Sequence, residues 1–493
     1  RDDDHPATLW IITRGVHEGI SDAAVRQSCL WGMAGVIRAE QPQLWGGLVD
    51  IPAVRDMGDD IGDCAPALLA VLRTPAKSIL ALRDGEFLVP ALAPVTGQPV
   101  RESLRCRPDA AYLITGGMGA LGLLMAAWLA DLGARRLVLA GRTPLPPRRD
   151  WDSDDNDTDV RHRIAAIRAM EMRGVSVDAV ALDVGSRDAV QALLAARDGE
   201  GAPPIRGVIH AAGVTEGQLL TEISDSRLRR TMWPKIAGAQ VLHESFPPGS
   251  LDFLFLTASA GTVFGVPGQG AYASANAYLD GLARARHRQG CRTVSMDWVA
   301  WRGLGFAADA QVVLQELERV GSRPLMPDEA FIAWEHVARY DVAQAVMAPL
   351  GSSAESASDA DAVSSAKLTW SQLPAEEVLR EVENGLRTIL ARELHMAEAD
   401  FELDRPFAEL GLTSVMAMSV RRETEQLVGF ELSVTMLFNY PTVASLAAYL
   451  AAKVLPQEDS DDDVDGMPDS DSSVLDDLFD IVESAPAGSE SGI

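Results

Sequence analysis

The stretch Ala111–Gly133, AYLITGGMGALGLLMAAWLADLG, limits what this chain can become more than any other segment. AYLIT is a short apolar run of strand length, and LLMAAWLADLG is rich in good helix formers. Between them Gly117, Gly119 and Gly122 stand in GxGxxG spacing. A glycine turn that follows a strand and opens a helix marks a dinucleotide site. The glycines let the backbone approach a pyrophosphate, and the helix N-terminus favours its charge. From Ala110 to Ala130 there is no charged residue over twenty-one positions, a length that could span a bilayer. The TGG break turns that reading into a buried strand, turn and helix.

The same alternation continues downstream. RRLVLAG, VSVDAVALDV, IRGVIHAAG, LDFLFLTASAG and RTVSMDW read as five more strands. Among the helices between them, VRHRIAAIRAMEMRG has Ile164, Ile167 and Met170 among its apolar positions, and QGAYASANAYLDGLARARHRQG is long. Strands alternating with helices predict an α/β fold with a doubly wound parallel sheet, whose function sits at the carboxyl ends of the strands. At the end of the second strand LAGRT offers Arg142 and no acid. An Arg there suits a 2′-phosphate and so favours NADPH, the plain alternative being a solvated surface residue. The first hundred residues are also α/β, with strands in LWIITRG, GGLVDI, SILALRDG and EFLVPAL. Ser21 or Asp22 caps their helix and Pro42 stops it. Their first turn, TRGVHEG, is no phosphate-binding loop, which gives this part a structural role.

Residues 351–373 are Ser/Ala/Asp-rich without periodicity and read as a flexible linker. The next helix carries Leu379, Val382, Leu386, Ile389 and Leu390 on one face, and two more follow, enough for a small bundle. Of the net charge of −28, the segment from Glu458 to the C-terminus supplies thirteen acids and no Lys or Arg. Such a balance argues against nucleic acid as a partner, and the tail from 454 to 493 reads as disordered. Within it, 473–484 carries an apolar stripe and is a candidate docking helix. Cys29, Cys64, Cys106 and Cys291 form no CxxC, and the eight His residues show no metal-ligand spacing. We therefore expect ordinary thiols in a reducing cytoplasm, and no metal. The chain begins with Arg1 and reads as a piece of a longer polypeptide.

In GQGAYASANAY, Tyr272 and Asn276 lie four apart and share a helix face. A tyrosine that must protonate a carbonyl oxygen at neutral pH needs a nearby ammonium, since its own pKa is ~10. Most short-chain dehydrogenases place that Lys where Asn276 stands.

TGGMGALG, ALDV and GVIHAAGV, with FLFLTASAGTVFGVPGQGAYASANAYLDGLARAR, resemble the ketoreductase domain of modular type I polyketide synthases of the actinobacterial, mycobacterial-like kind. The likeness runs from about Leu9 to Leu350. It implies a truncated structural subdomain at 1–105, a degenerate dinucleotide fold, and a catalytic Rossmann domain of the short-chain dehydrogenase kind at 106–350. In that family the lysine comes from upstream, here Lys235, and Asn follows the Tyr. The implied catalytic set is Tyr272, Ser259, Lys235 and Asn276. The implied cofactor set is Thr115, Gly116, Gly117, Gly119, Leu121, Gly122, Arg142, Asp183, Val184, Ala211, Ala212 and Gly213. Two family fingerprints for alcohol configuration are absent, with Thr215, Glu216 and Gly217 in one place and Phe264 in the other. The configuration stays open.

FAELGLTSVMAMSVRRETEQLVGFELSVTMLFNYPTVASLAAYL resembles an acyl carrier domain. The likeness implies a helical-bundle domain at 374–453 with 4′-phosphopantetheine on Ser414, although Thr413 replaces the usual Asp. Together the resemblances imply NADPH-dependent reduction of a carrier-bound β-ketoacyl thioester. They imply as partners the upstream ketosynthase and acyltransferase domains, a phosphopantetheinyl transferase, and a downstream synthase subunit docked through the tail. An ordinary disordered tail is the rival to docking. A redox-silent reductase beside an active carrier is the rival to the whole reading.

Overall fold

The computed structural model describes residues 8–19, 21–53, 64–73, 78–153, 156–302, 304, 311–350, 375–394 and 442–454, with 396, 401, 403–410, 420–421, 423–425, 427–430, 432 and 440. The linker, Ser414 and the acidic tail lie outside these residues.

A small four-stranded sheet, ordered β1-β2-β3-β4, comes first. It contains β1 (Leu9–Arg14), β2 (Trp45–Ile51), β3 (Ile79–Arg83) and β4 (Glu86–Leu88), with helices α1 (Asp22–Glu40) and α2 (Ala65–Leu72). Ser21 caps α1 by accepting a hydrogen bond from Ala24 N at 3.2 Å. The cap is the one expected from its residue type.

The second sheet has seven strands, all parallel, in the order β11-β10-β9-β8-β5-β6-β7. Its strands are β5 (Ala111–Thr115), β6 (Arg136–Gly141), β7 (Ser176–Ala181), β8 (Ile205–His210), β9 (Phe253–Ser259), β10 (Thr293–Trp298) and β11 (Gln344–Met347). The connecting helices are α3 (Ala120–Asp131), α4 (Thr158–Met172), α5 (Arg187–Gly199), α6 (Asp225–Ser245), α7 (Gly261–Phe264), α8 (Gly270–Arg288), α9 (Gln311–Arg319) and α10 (Pro327–Val337). The strand order reverses between β5 and β8, which opens a crevice at their carboxyl ends.

The apolar stretch Ala110–Ala130 resolves into β5, the glycine turn and α3, and both elements feed the central core. Among the described residues no helix is long and apolar enough to cross a membrane. Ile164, Ile167 and Met170 of α4 are all buried in that core.

Two details differ from the sequence reading. Strand β11 was not expected, because a four-residue run carries no usable periodicity. It completes the sheet by pairing with β10. The boundary at 105/106 is also too late. Leu104 is buried in the second core, and Val100 and Arg101 already donate their N–H groups to Arg339 O, each at 3.0 Å. That segment has no periodic pattern, so only its packing assigns it.

The two halves meet through α1 and α8 at very short range. A Cβ built on Gly32 would stand 2.3 Å from Ala273 O, and one on Gly281 2.1 Å from Ser28 Oγ. Gly265, at φ +72°, abuts the backbone of Gly35. Residues with side chains cannot reach this spacing, so the glycines let the first half grip the helix that carries Tyr272.

In the third unit, Val382, Leu386 and Leu390 of the helix Ala375–Glu393 are fully buried with Leu446 and Leu450 of the helix Val443–Val454. That second helix closes one residue beyond the expected boundary at 453.

Candidate active site

The glycine turn sits at the carboxyl end of β5, where backbone crowds from three sides. Gly116 has φ +69°, and a Cβ on it would lie 2.7 Å from Ala211 O. A Cβ on Gly117 would meet Ile114 O at 2.6 Å, and one on Gly122 would meet Gly116 O at 2.3 Å. Gly119 caps α3 without a side chain. Gly117 N donates to Ala140 O at 3.1 Å and Ala211 N to Thr115 O at 3.0 Å, which ties the turn to both neighbouring strands. The outcome is a side-chain-free cradle at a helix N-terminus, suited to a diphosphate. Leu121 packs back into the core from the first turn of α3.

Around the cradle stand the other expected residues. Arg142 is exposed just beyond β6. Asp183 follows β7 and accepts from Gly185 N at 3.0 Å and from Trp233 Nε1 at 3.1 Å. Val184 is buried beside Gly238 of α6. Ala211, Ala212 and Gly213 continue directly from β8.

Tyr272 is in the first turn of α8 and is partly buried, while Asn276 is fully buried one turn later. Asn276 Nδ2 donates to Tyr272 O at 2.8 Å. Lys235 comes from the middle of α6, is 3 % exposed, and places Nζ 5.6 Å from the centroid of the Tyr272 ring. The separation along the chain is bridged because α6 and α8 flank the same side of β9. Lys235 Nζ donates to Thr257 O at 2.7 Å, and its stem passes over Gly213, where a Cβ would come within 3.1 Å of Cε. Ser259 ends β9, and its Oγ accepts from Gly261 N at 3.2 Å.

The electrostatics follow from burial. Desolvation lowers Lys235 to about 8, against the opposing pull of Asp280 and Asp297. Burial pushes Tyr272 up, with the Asn276 side chain working against it. Asp280 on α8 and Asp297 on β10 are buried carboxyls, and both are raised by desolvation. Ser295 Oγ donates to Asp280 at 2.6 Å and Gln344 Nε2 to Asp297 at 2.7 Å. Two adjacent carboxylates cannot both stay ionised out of water, so Asp297, raised furthest, holds the proton.

Sequence reasoning missed Thr257 and His210. Thr257 acts through its carbonyl, which no residue type reveals. His210 ends β8 within the quoted GVIHAAGV, is completely buried, and shares a 2.7 Å hydrogen bond with Thr115 Oγ1. Burial and the Lys235 charge push it down to about 3, so its imidazole is neutral.

Comparison with known proteins decides the family. Residues 110–303 match the KR domain model, and residues 384–450 match the phosphopantetheine attachment site model. An A1-type ketoreductase structure is 32% identical, covers 70% of this chain and 69% of its own, and superposes with a TM-score of 0.59. The chain belongs to the ketoreductases of modular polyketide synthases. A ketoreductase from the first module of phoslactomycin biosynthesis in Streptomyces sp. HK803 is also 32% identical, over 71% of this chain and 77% of its own, with a TM-score of 0.58. A phenolphthiocerol/phthiocerol polyketide synthase of Mycobacterium tuberculosis is 62% identical over all of this chain. The chain spans about a quarter of that relative's length, 26%. As a ketoreductase joined to a carrier, it is a polyketide synthase enzyme that uses NADPH, and its carrier takes a covalent 4′-phosphopantetheine.

Proposed function

We propose that the site reduces the β-carbonyl of an acyl chain held as a thioester on the carrier's own arm, with Tyr272 as proton donor. The observation that carries this is the buried Lys235 ammonium beside the Tyr272 ring, at 5.6 Å from its centroid. Bound NADPH supplies a hydride to the carbonyl carbon. Gly116, Gly117, Gly119 and Gly122 hold its diphosphate, helped by Thr115 and Leu121, and Arg142 meets the 2′-phosphate. Asp183 and Val184 border the adenine side, and Ala211, Ala212 and Gly213 the nicotinamide side.

Ser259 hydrogen-bonds the substrate carbonyl and fixes its orientation. As negative charge develops on that oxygen, Tyr272 gives up its phenolic proton. Lys235 stabilises the resulting phenolate, which lowers the cost of the transfer. Asn276 holds the first turn of α8 by its bond to Tyr272 O. The thioester arm on Ser414 delivers the substrate, and the 351–373 linker keeps it at high effective concentration. The chain works in the cytoplasm with upstream ketosynthase and acyltransferase domains, after modification by a phosphopantetheinyl transferase. Segment 473–484 docks on the next synthase in the assembly.

The test is oxidation of NADPH with a diketide thioester. Wild type should turn over, and Tyr272→Phe should lose at least about a hundredfold in kcat while still binding NADPH. Absence of NADPH oxidation by wild type would overturn the reading.

A further inference from the structure

Glu40 is the last residue of α1, in the half of the molecule that has no glycine cradle, yet it is 1 % exposed. Its two carboxylate oxygens each take a backbone N–H from the other half. Oε1 accepts from Gly268 N at 2.8 Å, and Oε2 accepts from Leu220 N at 2.7 Å. Gly268, at φ +76°, lies two residues before α8 and four before Tyr272. Leu220 lies in the segment that follows β8, just after Thr215, Glu216 and Gly217. The two loops are also joined directly, since Gln218 N donates to Gly268 O at 2.8 Å. The Leu220 side chain rests on Gly270, where a Cβ would come within 2.2 Å of Cδ2.

A buried carboxylate is costly unless both oxygens are satisfied. Here the partners are two backbone amides from separate loops, so satisfying the charge fixes both loops relative to each other and to α1. Burial pushes the carboxyl up and the two amides pull it down, while Glu222 and Arg421 are the other charged groups facing it. The loop at 214–220 lies at the carboxyl end of the sheet, where substrate enters. The loop before α8 sets the position of Tyr272.

We propose that Glu40 is a positioning residue that locks the 214–220 segment to the start of α8 and thereby fixes which face of the substrate carbonyl meets the cofactor. The first half then acts on the outcome of the reaction as well as on stability. This rests on the ketoreductase reading.

The experiment compares the full chain with its Glu40→Gln variant. A glutamine keeps one acceptor and turns an NH2 group toward the second amide. Hydrogen exchange should accelerate at the Gly268 or Leu220 amide while the β5–β8 strands stay protected. With NADPH and a racemic 2-methyl-3-oxoacyl thioester, kcat should fall by at least about tenfold, NADPH Kd should stay within about twofold, and the ratio of alcohol diastereomers should drop. Unchanged exchange at both amides overturns the lock whether or not the protein is active. Accelerated exchange with a wild-type diastereomer ratio overturns the stereochemical role. An inactive wild type with accelerated exchange in the variant would sink the ketoreductase reading and, with it, the stereochemical role, leaving Glu40 a structural clamp only.

Discussion

Lys235 and Tyr272 are thirty-seven residues apart in the chain, yet the lysine Nζ stands 5.6 Å from the tyrosine ring centroid. The position four residues after the tyrosine is filled by Asn276, whose amide caps the Tyr272 carbonyl at 2.8 Å. The ammonium and the amide thus occupy exchanged places in the chain while both reach the same turn of α8.

That ammonium titrates where it can be measured. Burial holds Lys235 at about 8, below its value in an unfolded chain. Its charge is present below about 8 and lost as pH rises through that value. Initial rates from pH 6 to 10 should therefore fall above about pH 8. Lys235→Arg, charged throughout, should show no such limb in whatever rate remains. The linked stability has the opposite slope. Between the folded and unfolded values the unfolded chain binds more protons, so the lysine's contribution to stability rises with pH. Urea unfolding of wild type and Lys235→Met should converge as pH is raised across that window.

Gly122→Ala should damage the cradle. The added carbon would lie 2.3 Å from Gly116 O and 2.6 Å from Gly117 Cα, both backbone atoms that cannot step aside cheaply. NADPH affinity should fall by about tenfold or more, since the amides that would face the diphosphate shift with the turn. Fluorescence titration of NADPH measures the loss.

Arg142→Ala should erase cofactor preference. A guanidinium on a 2′-phosphate is a charge-assisted pair, so the ratio of kcat/KM for NADPH over NADH should drop by about tenfold. An unchanged ratio would remove Arg142 from the cofactor set and return it to the solvated surface.

Gly32→Ala tests the grip of α1 on α8. Its Cβ would sit 2.3 Å from Ala273 O, an overpacking that costs roughly 1–3 kcal/mol. Thermal unfolding should show a lower Tm. Gly199→Ala, where nothing lies within 4 Å, should leave Tm in place.

Much of the molecule was legible along the chain. The strand–glycine–helix unit at Ala111–Gly133, the alternation that follows it and the cap at Ser21 depend on neighbours within a few residues. Periodicity and turn chemistry encode such features locally. The need for an ammonium near Tyr272 was also legible, because it follows from the acidity of a phenol. Other relationships were decided only by the tertiary structure. Sheet order brings α6 and α8 side by side and so joins Lys235 to Tyr272. Desolvation makes His210 neutral and forces Asp280 and Asp297 to share a proton. Glu40 finds its two amides 180 and 228 residues away. None of these depends on a local pattern. Each arises when burial removes water and leaves a polar group to be satisfied by whatever the fold has brought within reach.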